Sequence, residues 1–336
     1  MHVCALIVTY GDRFESCQKV INRCFSIGID RIFLVENGVD KAAGESFQAL
    51  ARNDERLFRL CLNENLGSAG GFSEGIKAVT TNMPDGHVLV LDDDNLPAKN
   101  MLTLMSDAYA KLKAQEPTQQ FVLYGYRGEE FRDDLHAVEL YGRKLFQRDN
   151  FVGFSLREAL RRRARKLLGG KKDKSDLIVC DHGPWGGMFT SIDTLRSAPA
   201  PDCKFYLYGE DTNFSLTLTD MGVQLFLVPA ATITDLTSTF VGPETIFSPR
   251  LPAMRAFYSC RNSVYNSVSR RRSKIEYTLN KLIFLAIQLC RELLVNGRNL
   301  GEINERFALV AEAIRDGESG VLGKKSLVHL SRSEGF

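Results

Sequence analysis

Three consecutive aspartates, Asp92, Asp93 and Asp94, follow the apolar run at 88–91 and have the clearest chemical potential in the sequence. Carboxylates packed at a strand end offer hard oxygen ligands to Mg²⁺ or Mn²⁺, and such an ion could neutralise a diphosphate leaving group. In an extended segment Asp92 and Asp94 point to one side and Asp93 to the other. We therefore expect Asp92 and Asp94 to share the ligand side and Asp93 to serve the fold. The alternative is an acidic turn at the start of a helix.

A glycine-rich stretch, NENLGSAGGF at residues 63–72, is the second candidate. Its three glycines would let the backbone approach a ligand, and a helix follows. The stretch matches neither the dinucleotide-binding GxGxxG pattern nor a Walker loop. A purely structural turn is therefore the alternative.

The elements that must position these residues alternate along the first half of the chain. Apolar runs predict strands at 3–9, 31–35, 57–62 and 88–91, and helical spacing predicts helices at 14–27 and 73–80. This alternation is typical of a mostly parallel sheet covered by helices on both faces. Because ligands bind at the carboxyl ends of such strands, the polar residues there form one candidate site: Thr9 and Tyr10, Glu36 to Gly38, residues 63–71, and Asp92 to Asp94.

The second half is less regular. We predict strands at 121–124 and 224–228, helices at 158–168 and 211–220, and a helical pattern from 273 to about 315. These features predict an α/β catalytic domain at 1–268 and a C-terminal helical region at 269–336. The C-terminal helices are apolar on one face, so they would pack on the catalytic domain or pair two subunits as a homo-oligomer.

Composition narrows the class of protein. The net charge of +2 gives no reason to expect a nucleic-acid partner, and the eight cysteines contain no CxxC pair, which favours a reducing cytoplasm over a disulfide framework. The N-terminus lacks the basic start of a secretion signal, and the longest late apolar run is too short to span a bilayer. The basic segment 157–172 would dock on the inner face of the cytoplasmic membrane, or it forms a solvated helix.

Six stretches, taken in order, carry a family resemblance: LIVTYGD, VENGVD, NENLGSAGGF, LDDDNLP, WGGMF and GEDTNF. Together they resemble the family 2 glycosyltransferases, which have the GT-A fold. Within that family they are most similar to the bacterial rhamnosyl- and galactofuranosyltransferases of cell-surface polysaccharide synthesis. The resemblance covers roughly residues 3–268, and Arg261-Asn262 adds to it.

The resemblance implies an inverting transfer from a nucleotide-diphosphate sugar, usually with a divalent metal. It assigns the general base to Asp211, with Glu210 reading hydroxyl groups of the acceptor or donor. A helix start rich in acids is the structural alternative for this pair. The remaining candidate contacts to the donor are Thr9, Tyr10, Glu36, Asn65, Gly70, Asp92, Asp93, Trp185 and Gly186. For Trp185, core packing is the alternative to stacking on a sugar.

One departure from the family concerns the metal. A histidine that often follows the next strand is absent from 228–236, and Asp235 could replace it as an oxygen ligand beside Asp94 and Asp92. Thr234 could instead be the residue that faces the site.

The resemblance favours UDP-galactofuranose as the donor, followed by dTDP-rhamnose, and a glycan or lipid-linked glycan as the acceptor. Two alternatives stay open: a sugar-phosphate nucleotidyltransferase, and a nucleotide-sugar-binding protein without turnover. The first should carry a basic glycine-rich loop after the first strand, which LIVTYGDRF does not resemble.

Overall fold

A computed structural model describes residues 2–127, 143–144, 146–167, 176–237, 244–295 and 300–326. Their contacts divide the chain into two compact units. The first comprises the described residues within Met1–Leu145, Lys171–Cys203 and Asp211–Ser238, and the second those within Phe146–Gly170, Lys204–Glu210 and Thr239–Phe336.

The first unit is built on one sheet of ten strands. Its order is β3-β2-β1-β4-β9-β6-β10-β8-β7, with β5 paired to β10. The strands are β1 Val3–Gly11, β2 Arg31–Val39, β3 Leu57–Leu62, β4 His87–Asp92, β5 Asn95–Pro97, β6 Phe121–Arg127, β7 Arg143–Lys144, β8 Ile178–Cys180, β9 Met188–Ser191 and β10 Gln224–Asp235.

Helices cover both faces of this sheet, as the alternating pattern predicts. In the first unit the helices are α1 Phe14–Ser26, α2 Lys41–Asn53, α3 Gly67–Asn82, α4 Met101–Gln115, α6 Ile192–Ser197 and α7 Glu210–Asp220, whose first residue belongs to the second unit. One core cluster holds side chains of α1, α2 and α4, and the other holds those of α3, α6 and α7. Because both faces are buried, β1 and β4 are apolar almost throughout, without the alternation of a half-exposed strand.

Strand β9 changes the direction of the sheet at its centre. Strands β1 to β4 pair in parallel, but β9 runs antiparallel to both β4 and β6. An antiparallel strand begins at the edge where its parallel neighbours end. The residues that enter β9, Trp185 to Gly187, therefore lie at the same edge as the carboxyl ends of β4 and β6.

The second unit is helical. Its helices are α5 Leu156–Leu167, α8 Ala253–Ser269, α9 Lys274–Cys290 and α10 Leu300–Ser319, with a π-helical turn at Arg291–Val295 after α9. A separate core joins α8 to α10, where Gly317 meets the backbone and side chains of α8 so closely that a Cβ would lie 2.4 Å from the carbonyl oxygen of Arg261.

The predicted boundary at residue 268 lies within α8, one residue before its end. Contacts place all of α8, together with residues from 146–170 and 204–210, in the helical unit. The physical reason is that ten residues of α8 are buried, and their apolar members belong to the core cluster of that unit. Among the described helices, none is both long and apolar enough to cross a membrane.

Candidate active site

Five strands of the first unit bring polar side chains to one edge. Thr9 of β1 is paired with Glu36 of β2, and Val8 with Asp92 of β4, so the ends of three parallel neighbours are in register. Strand β6 ends at Arg127 beside β10, which ends at Asp235. The structure therefore brings four of the predicted residues, Thr9, Glu36, Asp92 and Asp235, to strand ends at one edge of the sheet.

The triple aspartate does not follow the predicted alternation. Strand β4 ends at Asp92, and Asp93 and Asp94 form a turn before β5. Because a turn reverses the backbone, both acids meet the same cation: Arg13 lies 3.0 Å from Asp93 Oδ1 and donates to Asp94 Oδ2 at 2.8 Å. The expectation that Asp93 points away from Asp94 was therefore wrong.

Asp93 is nevertheless the acid most tightly held by the fold. It is only 3% exposed and accepts a 2.8 Å hydrogen bond from the hydroxyl of buried Thr9. Burial raises the pKa of Asp93 to about 7, against the opposing effects of Arg13 and Thr9. The hydroxyl group of Thr9 therefore helps to hold Asp93 in place in the aspartate turn.

Asp92 belongs to a second ion-paired group. Its Oδ2 lies 3.8 Å from Arg127 Nη1, and Arg127 also donates to Asp235 Oδ1 at 2.7 Å. Burial raises the pKa of Asp92 to about 6, Arg127 opposes this, and the nearby carboxylates Asp94, Asp211 and Asp235 add to it. Asp92 therefore has three other carboxylates near it.

Asn95 connects the two groups. Its side-chain amide donates to Asp94 Oδ1 at 3.2 Å and to Asp235 Oδ1 at 2.7 Å, and its carbonyl oxygen accepts from the backbone N–H of Asp92 at 3.2 Å. A Cβ at Gly186 would lie 1.9 Å from that carbonyl oxygen and 3.1 Å from Asp92 Oδ2. Only glycine lets the 185–187 turn pass this close to the aspartates.

The carboxylate oxygens at this edge are ligands of the kind that a divalent cation prefers, but in the described residues they are not arranged around one cation position. Among the residues that the structure describes, no three His, Cys, Asp or Glu side chains converge enough to hold an ion. Of the three predicted ligands, Asp94 and Asp235 instead accept hydrogen bonds from arginines, and Asp92 is ion-paired with Arg127. Their hard oxygens and surplus negative charge fit Mg²⁺ or Mn²⁺ once an arginine gives way.

The ring of Trp185 lies in the core. It is 4% exposed, stacks on Phe72 with ring centroids 4.8 Å apart, and packs on Phe214 at 5.1 Å. These contacts favour the core-packing alternative, because both aromatic neighbours cover the indole. The close approach to the aspartates is made by the backbone at Gly186.

The glycines of the 63–72 stretch mainly serve packing. A Cβ at Gly70 would lie 2.5 Å from the Leu66 side chain, and one at Gly71 would lie 2.7 Å from Val8. Asn65 is exposed, and its side-chain oxygen accepts from the N–H of Gly67 at the start of α3. Here the turn alternative describes the observed contacts, and contact of Asn65 or Gly70 with a nucleotide stays a prediction.

Glu36 and Tyr10 have different environments. Glu36 is 2% exposed and forms a two-point ion pair with Arg59, whose Nη2 lies 2.8 Å from Oε2. Tyr10 is 47% exposed and accepts from Arg13 Nη1 at 2.9 Å. The ring of Tyr10 is therefore accessible at the edge of the sheet. The carboxylate of Glu36 is bonded to Arg59, so it could accept from a nucleobase only through the lone pairs that Arg59 does not occupy.

The predicted base lies at the start of α7. Asp211 is near enough to Asp92 to raise the pKa of that carboxyl, so the predicted base and the aspartate group are neighbours. Its partner in the motif, Glu210, is buried and belongs to the second unit. The helix-start alternative is also observed, since Asp211 Oδ1 accepts from the N–H of Thr212.

In the second unit, the segment before Glu210 has an unusual backbone. Tyr206, Tyr208 and Gly209 have φ values of 65°, 60° and 79°, a region that is costly for residues with a Cβ. The amide of Asn262 donates to three carbonyl oxygens of this segment, at 205, 207 and 208. The Arg261-Asn262 pair noted in the sequence therefore fixes the turn that leads into α7.

Arg13, Arg127 and Asn95 were missed by the sequence reasoning. The ion pairs of Arg13 with Asp94 and of Arg127 with Asp235 span 81 and 108 residues, so no local pattern reveals them. The available signal was position, because Arg127 follows the predicted strand at 121–124 and Arg13 follows the one at 3–9. The sequence reasoning did not consider basic residues at strand ends beside the acids that they neutralise.

The architecture is that of the GT-A glycosyltransferases. It is similar to GalNAc-T7, solved with UDP, GalNAc and Mn²⁺, at a TM-score of 0.53 and 12% sequence identity over 96% of this chain and 55% of that chain. It is also similar to the mannosyltransferase PcManGT from Pyrobaculum calidifontis, solved with GDP-Man and Mn²⁺, at a TM-score of 0.51 and 12% identity over 97% and 76% of the two chains. The chain thus spans just over half the length of GalNAc-T7, and this likeness concerns the fold alone.

The chain belongs to glycosyl transferase family 2. The model of that family matches residues 4–189, more than half of the sequence and the part that carries the aspartate turn and the start of β9. No curated protein matches the sequence. The predicted family and fold are confirmed.

Proposed function

We propose that this glycosyltransferase moves a sugar, with inversion, from a UDP- or dTDP-sugar to a glycan or lipid-linked glycan in cell-surface polysaccharide synthesis. UDP-galactofuranose is the first candidate donor and dTDP-rhamnose the second. The observation that supports the proposal is the grouping of Asp211 with Asp92, Asp94 and Asp235 at one sheet edge. Family membership favours transfer over the alternatives of nucleotidyl transfer or binding without turnover.

The proposed reaction is a single displacement. The acceptor hydroxyl oxygen attacks the anomeric carbon and forms the new bond, while the bond from that carbon to the diphosphate oxygen breaks and its electron pair leaves with the diphosphate. Asp211 takes the proton of the hydroxyl, since a neutral alcohol is a poor nucleophile. Glu210 is proposed to read hydroxyl groups of the acceptor or donor.

A divalent ion, Mn²⁺ or Mg²⁺, would supply positive charge to the leaving diphosphate. Asp94, Asp92 and Asp235 are the residues proposed to hold it, with Asn95 fixing Asp94 and Asp235 relative to each other. Thr9, Tyr10, Glu36, Asn65 and Asp93 are proposed to line the nucleotide side. Gly186 is proposed to contact the donor through its backbone.

The test is a hydrolysis and transfer panel of nucleotide sugars, run with and without Mn²⁺. Asp211→Asn should keep UDP affinity and lower transfer by about 10²–10⁴-fold, because the base is lost while the charge group at Asp92 stays. Asp193→Asn is the matched control, since Asp193 is an exposed acid paired with Arg196. Near wild-type transfer by Asp211→Asn would remove Asp211 from the role of base.

We also propose a peripheral location on the cytoplasmic face of the membrane. Helix α5 exposes Leu160 and Leu167 together with the arginines at 161–163, a combination that suits an anionic lipid surface. Lys171 and Lys172, the rest of the predicted basic segment, lie outside the described residues. The wild type should sediment with phosphatidylglycerol vesicles and not with phosphatidylcholine vesicles. The variant in which Arg161, Arg162 and Arg163 are replaced by Gln should sediment with neither.

A homo-oligomer through the C-terminal helices is the remaining proposal. Helix α9 exposes Ile275, Leu279 and Leu282, at 84%, 48% and 61%. Light scattering after size exclusion should give a mass above that of one chain. Ile275→Asp with Leu282→Asp should return it to the monomer mass.

A further inference from the structure

Arg127 occupies the oxygens that a cation would need. Its Nε lies 3.2 Å and 3.3 Å from the two carboxylate oxygens of Asp235, and its Nη2 lies 2.7 Å from Oδ1. The Nη1 of the same guanidinium lies 3.8 Å from Asp92 Oδ2. One planar fork therefore spans two of the three proposed ligands, and only 13% of the arginine side chain is exposed.

The local charge makes this arrangement unfavourable for a diphosphate. Asp92, Asp94, Asp211 and Asp235 are grouped at the edge, whereas Arg127 is bound to two of them and Arg13 to Asp94. A nucleotide diphosphate is an anion, and it would meet more carboxylates than cations here. Added positive charge, or a guanidinium released from the acids, is needed before the diphosphate can bind well.

We propose that Arg127 competes with the divalent cation for Asp92 and Asp235, and that it passes to the diphosphate when the cation takes its place. This inference rests on the proposed function only for the identity of the diphosphate ligand. The guanidinium is well suited to both partners, because its fork matches carboxylate and phosphate oxygens alike. Cation and nucleotide binding would then support each other through one side chain.

Arg13 contacts only one of the three proposed ligands, Asp94. Its guanidinium is held by contacts on four sides, to Asp93, Asp94, Tyr10 and Thr237. A cation at Asp94 would remove one of these contacts and leave the others. Arg127 is accordingly the side chain on which the test is made.

The test measures cation binding directly, without turnover. Binding of Mn²⁺ to the nucleotide-free protein is followed by loss of the free Mn²⁺ signal in electron paramagnetic resonance, for the wild type, Arg127→Gln and Arg127→Lys. We expect Arg127→Gln to bind Mn²⁺ about tenfold more tightly, since a charged hydrogen-bonded competitor is removed. Arg127→Lys should fall between the two, because it keeps the charge but loses the fork. Unchanged or weaker Mn²⁺ binding by Arg127→Gln would overturn the competition.

The second measurement is UDP affinity by calorimetry at saturating Mn²⁺. Arg127→Gln should bind UDP about tenfold more weakly, because the guanidinium is no longer available to the diphosphate. Equal UDP affinity in this variant and the wild type would overturn the transfer of Arg127 to the diphosphate. Arg196→Gln is the control, since this arginine pairs with Asp193 and carbonyls at 80–84, and it should change neither affinity.

These outcomes are separable from the failure of the proposed function. If no sugar is transferred from any donor but the two affinities shift in opposite directions, the role of Arg127 stands and the proposed reaction fails. If transfer occurs and Mn²⁺ affinity is the same in all variants, the role of Arg127 is refuted and the reaction stands. Thermal unfolding of Arg127→Gln and Arg127→Lys verifies that both variants are folded.

Discussion

Replacing Gly186 by alanine gives the sharpest test of how the site is built. The added Cβ would lie 1.9 Å from Asn95 Oδ1, so one of the two groups must move. Asn95 is fully buried, and its amide is bonded to Asp94, Asp235 and the backbone of Asp92. The substitution should therefore displace the Asn95 side chain from all three partners.

The expected loss follows from those bonds. A neutral hydrogen bond contributes about 1 kcal/mol and one to a charged group about 1.5–3 kcal/mol. Two of the three bonds go to carboxylates, and water reaching the vacated positions would restore part of the loss. We expect Gly186→Ala to lower the free energy of unfolding by about 3–5 kcal/mol.

Urea unfolding followed by circular dichroism measures this change. The matched control is Gly44→Ala in α2, where a Cβ would meet nothing closer than Val39 Cγ2 at 3.6 Å and the backbone is helical. The control should range from neutral to about 1 kcal/mol more stable. Equal stability of the Gly186→Ala variant and the control would refute the close approach of the 185–187 turn to Asn95.

Three further outcomes are expected. Burial lowers the pKa of His87 to about 4, so between pH 6.5 and 4 only the unfolded state binds the proton, and the free energy of unfolding falls as the pH falls. The variant His87→Phe keeps a ring against Phe189 but has no group that titrates. Measured by urea unfolding at pH 7 and pH 5, it should lose up to about 2 kcal/mol less stability than the wild type. Trp185 is the single tryptophan of the chain, so its fluorescence should resist acrylamide quenching equally with and without UDP, and protection that appears only with UDP would contradict core packing. Asn262→Ala should cost about 2–4 kcal/mol, because three carbonyls lose their donor, whereas Ser269→Ala on the same helix should stay within about 0.5 kcal/mol.

Much of the fold could be predicted because its signals are local. The buried strands are continuous apolar runs and α1 has regular helical spacing, with Cys17, Val20, Ile21 and Cys24 all buried. Their alternation was enough to predict a sheet covered on both faces and a site at the carboxyl ends. Strand β9 has only four residues, and no feature of its sequence predicts that it pairs antiparallel between two parallel strands.

The site was predicted less completely because its contacts are not local. Asp92 to Asp94 alternate in direction only if the chain is extended, and the turn after Asp92 instead brings Asp93 and Asp94 to one arginine. Asp235, proposed only from its position, does lie by the aspartates through Asn95 and Arg127. The glycine-rich stretch was read for ligand approach, whereas packing of α3 against β1 and its own first turn explains Gly70 and Gly71.

The place of β9 in the sheet has a consequence for how the chain is made. Strands β4 and β6 lie on either side of β9 and are separated from it by some 60–100 residues of sequence. During synthesis both strands leave the ribosome well before their shared neighbour, and their facing edges stay unpaired until residue 191 has emerged. Unpaired edges of apolar strands are prone to aggregate. A chain shortened to end before β9 would therefore keep the aspartate turn in its sequence and lose the strand that closes the sheet beside it.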